Sequence, residues 1–345
     1  MPDPRTPEPC PPEQGDRSAA SGASATGGAV RIPESLRHAA ARRLVSVPED
    51  ERDEAARRLL RSAPGHGIDL SMLFGVLTTD ASDVREVCLA VPAAGRTAML
   101  YLSGPARARP DDGGSGSDRS AAVACALGAL RDDERVSLAQ ALPAPEEPWA
   151  EPAFVGGGMR AIGGLQYMRA PLPLINEPES PMNWPEGIAV DRLASKRRTL
   201  RGEEHADLAA ALEASYVDTL DCPELCGLRR MGDVIDSHRS TGVFDPSLWW
   251  LVRKAGRPLG CCLLSSVPAQ RTLELVYIGL APEVRGLKIG PALLRHAVRA
   301  ARRGATGTPA SVTCAVDERN APAQRIYNAM GFQTFASRRA LICPV

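Results

Sequence analysis

Apolar positions in the C-terminal half of the chain switch between two periods. Ser247–Arg253, Pro258–Ser265 and Thr272–Leu280 are apolar-rich runs at hairpin spacing and predict three strands, with a further strand over Ile188–Leu193. Glu203–Val217 places Leu208, Leu212 and Tyr216 four residues apart, the stripe of an amphipathic helix. Met231–His238 predicts another helix. After the three strands come a helix over Pro291–Arg303 stopped by Gly304, a strand over Ser311–Val316, a helix over Asn320–Met330 stopped by Gly331, and a last strand over Gln333–Ile342. Antiparallel strands followed by strand–helix–strand–helix–strand predict a mixed α/β sheet of the α+β type.

The N-terminal half gives a weaker version of the same pattern. Residues 1–30 are rich in Pro, Gly, Ser and Ala with few apolar anchors and read as a disordered tail. Arg31 to about Arg61 is helical in pattern, Pro48-Glu49-Asp50 opening a second helix that carries Leu59 and Leu60. Val84–Val91 and Thr97–Leu102 predict two strands joined by the turn at Pro92–Gly95. A loop over Gly104–Ser117, a small-residue helix over Ala121–Leu130 and a strand over Arg135–Leu142 follow. Proline-rich residues 171–186 read as a linker. The expected division is therefore a tail over 1–30, a first unit over 31–170, the linker, and a second unit over 187–345.

Composition narrows the function classes. A chain of 345 residues suits two domains at ~150 residues each. Lys+Arg and Asp+Glu both number 41, so no net charge draws the chain to nucleic acid or to an anionic membrane. No apolar run reaches the ~20 residues of a membrane helix, and the start from Met1 to Gln14 is no signal peptide. Nine cysteines, an odd number spread from Cys10 to Cys343, do not read as a secreted disulfide framework, so the expectation is a cytoplasmic protein with reduced thiols. Cys222-Pro-Glu-Leu-Cys226 has no second pair and no nearby histidine, so no metal site is expected.

Two stretches carry chemistry. In the first, Thr272–Leu280 leads through Arg285-Gly-Leu-Lys-Ile-Gly290 into the helix that has Pro291 in its first turn. The first amides of a helix lack internal acceptors and face whatever sits at its N-terminus, and an anion is the natural occupant. A plain tight connection explains the loop alone equally well. In the second, Asn320-Ala-Pro-Ala-Gln-Arg-Ile-Tyr-Asn-Ala-Met-Gly-Phe332 puts Asn320, Ala323/Gln324 and Tyr327 on one helix face.

Together the two stretches resemble the GNAT family of acyl-CoA-dependent N-acetyltransferases. That family's phosphate loop reads Arg/Gln-x-x-Gly-x-Gly/Ala, and its second signature Asn-x-x-Ala-x-x-x-Tyr-x-x-x-Gly-Phe is matched at Asn320, Ala323, Tyr327, Gly331 and Phe332. The resemblance covers about Gly187 to Val345. It departs at Lys288, which stands where the family has the first loop glycine. A side chain there either crowds a pyrophosphate or adds a cation to it.

The resemblance implies a GNAT-like acyl-CoA transferase fold and acetyl-CoA as co-substrate. Backbone at Ile278, Gly279 and Leu280, the loop Arg285, Gly286, Leu287, Lys288, Ile289, Gly290 and Pro291, and Asn320 would hold it. It further implies direct attack of a neutral amine on the thioester, which needs a base and an acid. Tyr327 holds the acid's position. Glu274 matches a position where several members keep a catalytic glutamate, an exposed strand glutamate being the plain alternative. By strict alternation Glu274 shares a face with Val276, Ile278 and Leu280. Tyr216, Asp221 and Glu224 follow the first helix of the matched region, where members wall an acceptor pocket; a solvated loop explains the acids as well. The acceptor would be a small-molecule or protein amine.

The first half echoes the second. Phe154, Gly158 and Met159 have the offsets of Tyr327, Gly331 and Phe332, which puts Glu147 in the place of Asn320. This suggests two GNAT-like domains in tandem, the first degenerate; an accessory helical domain is the other reading. For the whole chain the leading expectation is an N-acetyltransferase. The alternative is a non-catalytic acyl-CoA-binding or interaction module of the same fold.

Overall fold

The computed structural model of the chain describes residues 28–105, 115–174, 183–193, 199–200, 202–304 and 309–345. Its first half runs β1 (Val30–Arg31), α1 (Arg37–Leu44), α2 (Arg52–Ser62), β2 (Leu73–Leu77), β3 (Val84–Ala93), β4 (Thr97–Leu102), α3 (Ser115–Arg131), β5 (Leu138–Ala141), α4 (Ala150–Gly156) and β6 (Arg160–Pro171). The second runs β7 (Ile188–Arg192), α5 (Gly202–Tyr216), α6 (Met231–Arg239), β8 (Trp249–Lys254), β9 (Arg257–Val267), β10 (Thr272–Leu280), α7 (Ile289–Gly304), β11 (Ser311–Asp317), α8 (Ala321–Ala329) and β12 (Gln333–Pro344).

The twelve strands among the described residues join one mixed sheet, in the order β1-β2-β3-β4-β5-β12-β6-β11-β10-β9-β8-β7. The order is that of two repeats that have traded their last strands. β12, from the second half, pairs antiparallel with β5 of the first, Leu341 opposite Ala141. β6, from the first half, pairs antiparallel with β11 of the second, from Ser311 opposite Pro171 to Asp317 opposite Leu165. β6 and β12 pair with each other between them. The only parallel pairs among the described residues, β4 with β5 and β10 with β11, occupy matching places in the repeats. The local turns match as well. The Met159 amide donates to the Phe154 carbonyl at 3.0 Å, and the Phe332 amide to the Tyr327 carbonyl at 3.0 Å.

Several boundaries differ from the pattern-based expectation, each for a local reason. β2 is short and buried throughout except at Leu77, so it shows no alternation. β8 starts at Trp249 rather than Ser247 because Asp245 caps a short helical turn, its carboxylate accepting the Ser247 amide at 2.9 Å. α3 starts at Ser115, inside the expected Gly104–Ser117 loop, whose residues 106–114 lie outside the described ones. Of the expected tail, residues 1–27 lie outside them too, and Val30 begins β1. Half of the linker, 175–182, is likewise outside.

The core of the second half sandwiches the sheet between α5 and α7. Leu208 and Leu212 of α5, Leu293, Leu294, Ala297 and Val298 of α7, and Trp249 and Trp250 of β8 are fully enclosed. A smaller core packs α3 and α4 onto β3, β4 and β5. No helix among the described residues is long and apolar enough to cross a membrane.

The halves also touch away from the shared strands. The tip of the β3–β4 hairpin sits on α6: Arg229 donates to the Gly95 carbonyl at 2.8 Å and Ser237 to the Ala94 carbonyl at 3.1 Å. Gly95 has φ +72°, and a methyl group there would land on the Asp233 carbonyl oxygen. Gly95→Ala should therefore destabilise the protein by about 2–4 kcal/mol through left-handed strain and overpacking combined. Urea unfolding reads the change; a loss under ~0.5 kcal/mol would mean that the hairpin tip moves freely off α6.

Candidate functional site

β10 and β11 run side by side for four residues, from Thr272 opposite Ser311 to Leu275 opposite Cys314, and then part. The cause is a β-bulge at Val276. On β9, Leu264 opposes Leu275 and the next residue, Leu263, opposes Tyr277, so Val276 is extra and bends β10 away. β11 does not follow, because β6 holds it in register as far as Asp317. Between the strands opens a cleft of about 240 Å³. Its walls are β10 from Leu275 to Leu280, Ala315 and Val316 of β11, the α8 residues Ala323 and Tyr327 with their cap Asn320, and Asp221 from the loop after α5. Beyond Leu275 the edge of β10 facing β11 has no strand partner among the described residues, which leaves the backbone at Ile278, Gly279 and Leu280 able to pair with an extended ligand arm.

The loop into α7 closes one end of this cleft. Gly286 and Lys288 both take left-handed conformations, φ +79° and +58°, in the turn that leads into the positive end of a helix, a setting that suits an anion. Gly286, Leu287 and Lys288 are exposed on the rim, and Gly290 lines the cleft. Ile289 is buried, so only its backbone is available, and Pro291 sits in the first turn of α7. Lys288 thus occupies a glycine-type conformation with its side chain in solvent.

Arg285 acts differently from a free phosphate ligand. Its guanidinium donates to the carbonyls of Leu280 (2.9 Å), Asp218 (3.0 Å), Ser215 (3.1 Å) and Val217 (2.7 Å). Three of these are at or just past the end of α5, where a cation meets the negative end of the helix. Arg285 therefore fixes the loop that carries Asp221 against the loop that opens α7.

Tyr327 is 5% exposed, packs on Phe332 at 5.3 Å and opens onto the cleft. Burial first, then the neighbouring Cys314 and Asp221, hold its hydroxyl well above the ordinary tyrosine range, so the proton stays on. Asn320 caps α8, its side-chain oxygen accepting the Ala323 amide at 3.2 Å, and also hydrogen-bonds the Asp221 carboxylate. Asp221 accepts the Asp317 amide at 3.0 Å; burial pushes its carboxyl up.

The other residues expected at an acceptor pocket divide. Glu224 is held by Arg319 through two contacts of 2.6 and 2.9 Å, is drawn below its usual range by them, and does not line the cleft. Tyr216 stands edge-on to Tyr277 at 5.7 Å and does not line the cleft. Glu274 is half-buried opposite Thr313 and Ser265, outside the cleft lining, its carboxyl pushed up by burial. The alternation that grouped it with Val276, Ile278 and Leu280 is broken by the bulge. Glu274 shares its face with Tyr277, whose hydroxyl is 2.8 Å from Ser215 Oγ and whose ring stacks on His238. Half-buried His238 is lowered to about 4, by desolvation and then by Arg229, and is neutral. The Ser215–Tyr277 pair and the bulge left no mark in the sequence pattern.

Residues 216–332 match the Acetyltransferase (GNAT) family. The second half of the chain carries a GNAT domain. Such a domain implies acyl transfer from an acyl-CoA. A GCN5-related N-acetyltransferase from Sphaerobacter thermophilus is similar in structure over 92% of this chain and 95% of its own, at 19% identity and a TM-score of 0.55. That likeness shows a shared fold through both halves. A tandem GNAT protein from the clavulanic acid biosynthesis pathway aligns over 79% of this chain and 82% of its own, at 14% identity and a TM-score of 0.48. For a GCN5-related N-acetyltransferase from Kribbella flavida the figures are 83%, 95%, 17% and 0.43. A search of curated proteins returns no match. Among the described residues no cluster of histidine, cysteine or acidic side chains could hold a metal ion.

The GNAT loop's departure at Lys288 has a measurable consequence. A left-handed non-glycine residue costs ~1–2 kcal/mol, of which glycine's greater freedom in the unfolded chain returns part. Lys288→Gly should stabilise the protein by about 0.5–1 kcal/mol in urea unfolding. A destabilised variant would show that the lysine side chain holds the loop.

Proposed function

We propose that the chain is an N-acetyltransferase that moves an acetyl group from acetyl-CoA to an amine by direct attack. The observation that carries this reading is the cleft: strands parted by a bulge, a left-handed loop at a helix N-terminus closing one end, and a buried tyrosine on its wall. The loop amides at Gly286–Gly290 would hold the pyrophosphate, and the unpaired edge of β10 the pantetheine arm. Amides of the same edge would face the oxyanion of the tetrahedral intermediate. Tyr327 gives its proton to the departing thiolate. Asp221 draws the cationic amine in, and Glu274 takes the ammonium proton, directly or through water. A carboxyl with a raised pKa is a better base but is lost sooner as pH falls, so kcat/KM should decline on the acidic side through that pKa. The Tyr327 hydroxyl on the cleft wall, at the place of the departing thiolate, favours an enzyme over a non-catalytic acyl-CoA module.

Thiol release from acetyl-CoA across an amine panel tests the activity itself, and no release with any amine would favour the module. Tyr327→Phe should keep the fold and lower kcat by ~10²–10⁴-fold, the usual worth of general acid catalysis. An unchanged kcat with chemistry rate-limiting would make Tyr327 structural. Glu274→Gln should abolish the acidic limb of the pH profile, and Asp221→Asn should raise KM for the amine while keeping that limb. If Asp221→Asn is the variant that removes the limb, the two roles exchange.

A further inference from the structure

The first half holds a second and larger cavity, of about 640 Å³, in the place that corresponds to the cleft. The strand registers fix the correspondence. Thr97 opposes Leu138 where Thr272 opposes Ser311, so Met99 stands at the position of Glu274. The matching turns after α4 and α8 put Phe154 at the position of Tyr327 and Glu147 at that of Asn320. Met99, Phe154 and Glu147 all line the cavity. The groups that would move protons are thus replaced by apolar ones, yet the space is kept. Its volume lies in the range of small-molecule sites.

The lining is apolar over most of its area, with Leu59 of α2, Leu89 of β3 and Trp149 among the walls. One corner is polar. Arg338 of β12 and Tyr167 of β6 meet there, brought to the first half's cavity by the pairing of those two strands. Arg338 has five N–H donors and spends one, among the described residues, on the Ser337 carbonyl at 2.8 Å. Burial raises the Tyr167 hydroxyl and the Arg338 cation draws it back, so both groups present hydrogens at that corner. The other charged group of the lining, Glu147, has one carboxylate oxygen engaged by the Ala144 amide at 2.9 Å.

We propose that this cavity is a second binding site, for a molecule with an extended apolar body and a carboxylate head that meets Arg338 and Tyr167. The site is non-catalytic, since Met99 and Phe154, at the positions that match Glu274 and Tyr327, offer neither a base nor an acid.

Calorimetry on the full chain with octanoate, 1-octanol and octylammonium tests the proposal. Octanoate should bind at least about tenfold more tightly than octanol, the usual worth of a hydrogen bond to a charged group. Hexanoate should bind about 16-fold more weakly than octanoate, at roughly fourfold per methylene. Arg338→Gln should bring octanoate down to the affinity of octanol, and Glu147→Gln should tighten octanoate alone. Met99→Trp, where circular dichroism shows it folded, should block all three. Equal affinities of octanoate and octanol, tightest binding of octylammonium, or an Arg338→Gln variant that binds octanoate as before would each overturn the assignment. So would displacement of octanoate by acetyl-CoA, which would put the carboxylate in the β10–β11 cleft instead.

Discussion

The pairing of β6 with β12 is the interaction on which the rest of the structure depends. It runs from Gln333 opposite Arg169 to Ile342 opposite Arg160, and each strand continues outward onto the other repeat. A sheet that would otherwise be two sheets, each with an open edge, becomes one without a seam. Ion pairs cross the same region: Arg339 reaches Glu151 at 3.1 Å and Glu318 at 3.6 Å, one acid from each half. The halves are therefore not neighbours that dock but parts that complete each other.

That arrangement explains how the cleft is built. A bulge can bend β10 away only if β11 stays behind, and β11 stays because β6 clasps its far side. The opening is then kept in shape by polar contacts at its rim. Asp317, at the end of β11, is 1% exposed and receives the Cys222 amide at 3.1 Å and Arg319 at 2.6 Å; Arg285 ties down the end of α5 from the other direction. Two charged side chains of the second half that look like ligands in the sequence, Arg285 and Glu224, turn out to be fasteners. Those left facing the cleft, Asp221 and the tyrosine Tyr327, are ones whose protons burial holds more tightly.

Much of this was legible in the sequence because two kinds of signal were local. Thr272–Leu280 is the strand that its apolar run predicts, residue for residue, and the stretch from Asn320 to Phe332 holds the helix expected there, with Asn320 as its cap rather than its first residue. The glycine-type conformation of Lys288 was foreseeable from its place in the loop pattern. What could not be read were features set by partners distant in the chain. The bulge at Val276 depends on how β9 pairs, β2 is buried on both faces and carries no alternation, and the traded strands are a choice between equivalent edges. Arg285 shows the same limit: its residue type fits a phosphate, and only the fold shows that carbonyls from α5 surround it.

The traded strands also decide when this chain can fold. β5 waits for β12, its partner, which leaves the ribosome only after nearly the whole second half has been made. Until then the first half has an unfinished edge, and β6 is a strand without a place. Such a chain cannot bank a finished first half during synthesis, as sequential domains do. Its sheet closes late, by long-range pairings, and loss of the last strand would open both halves together.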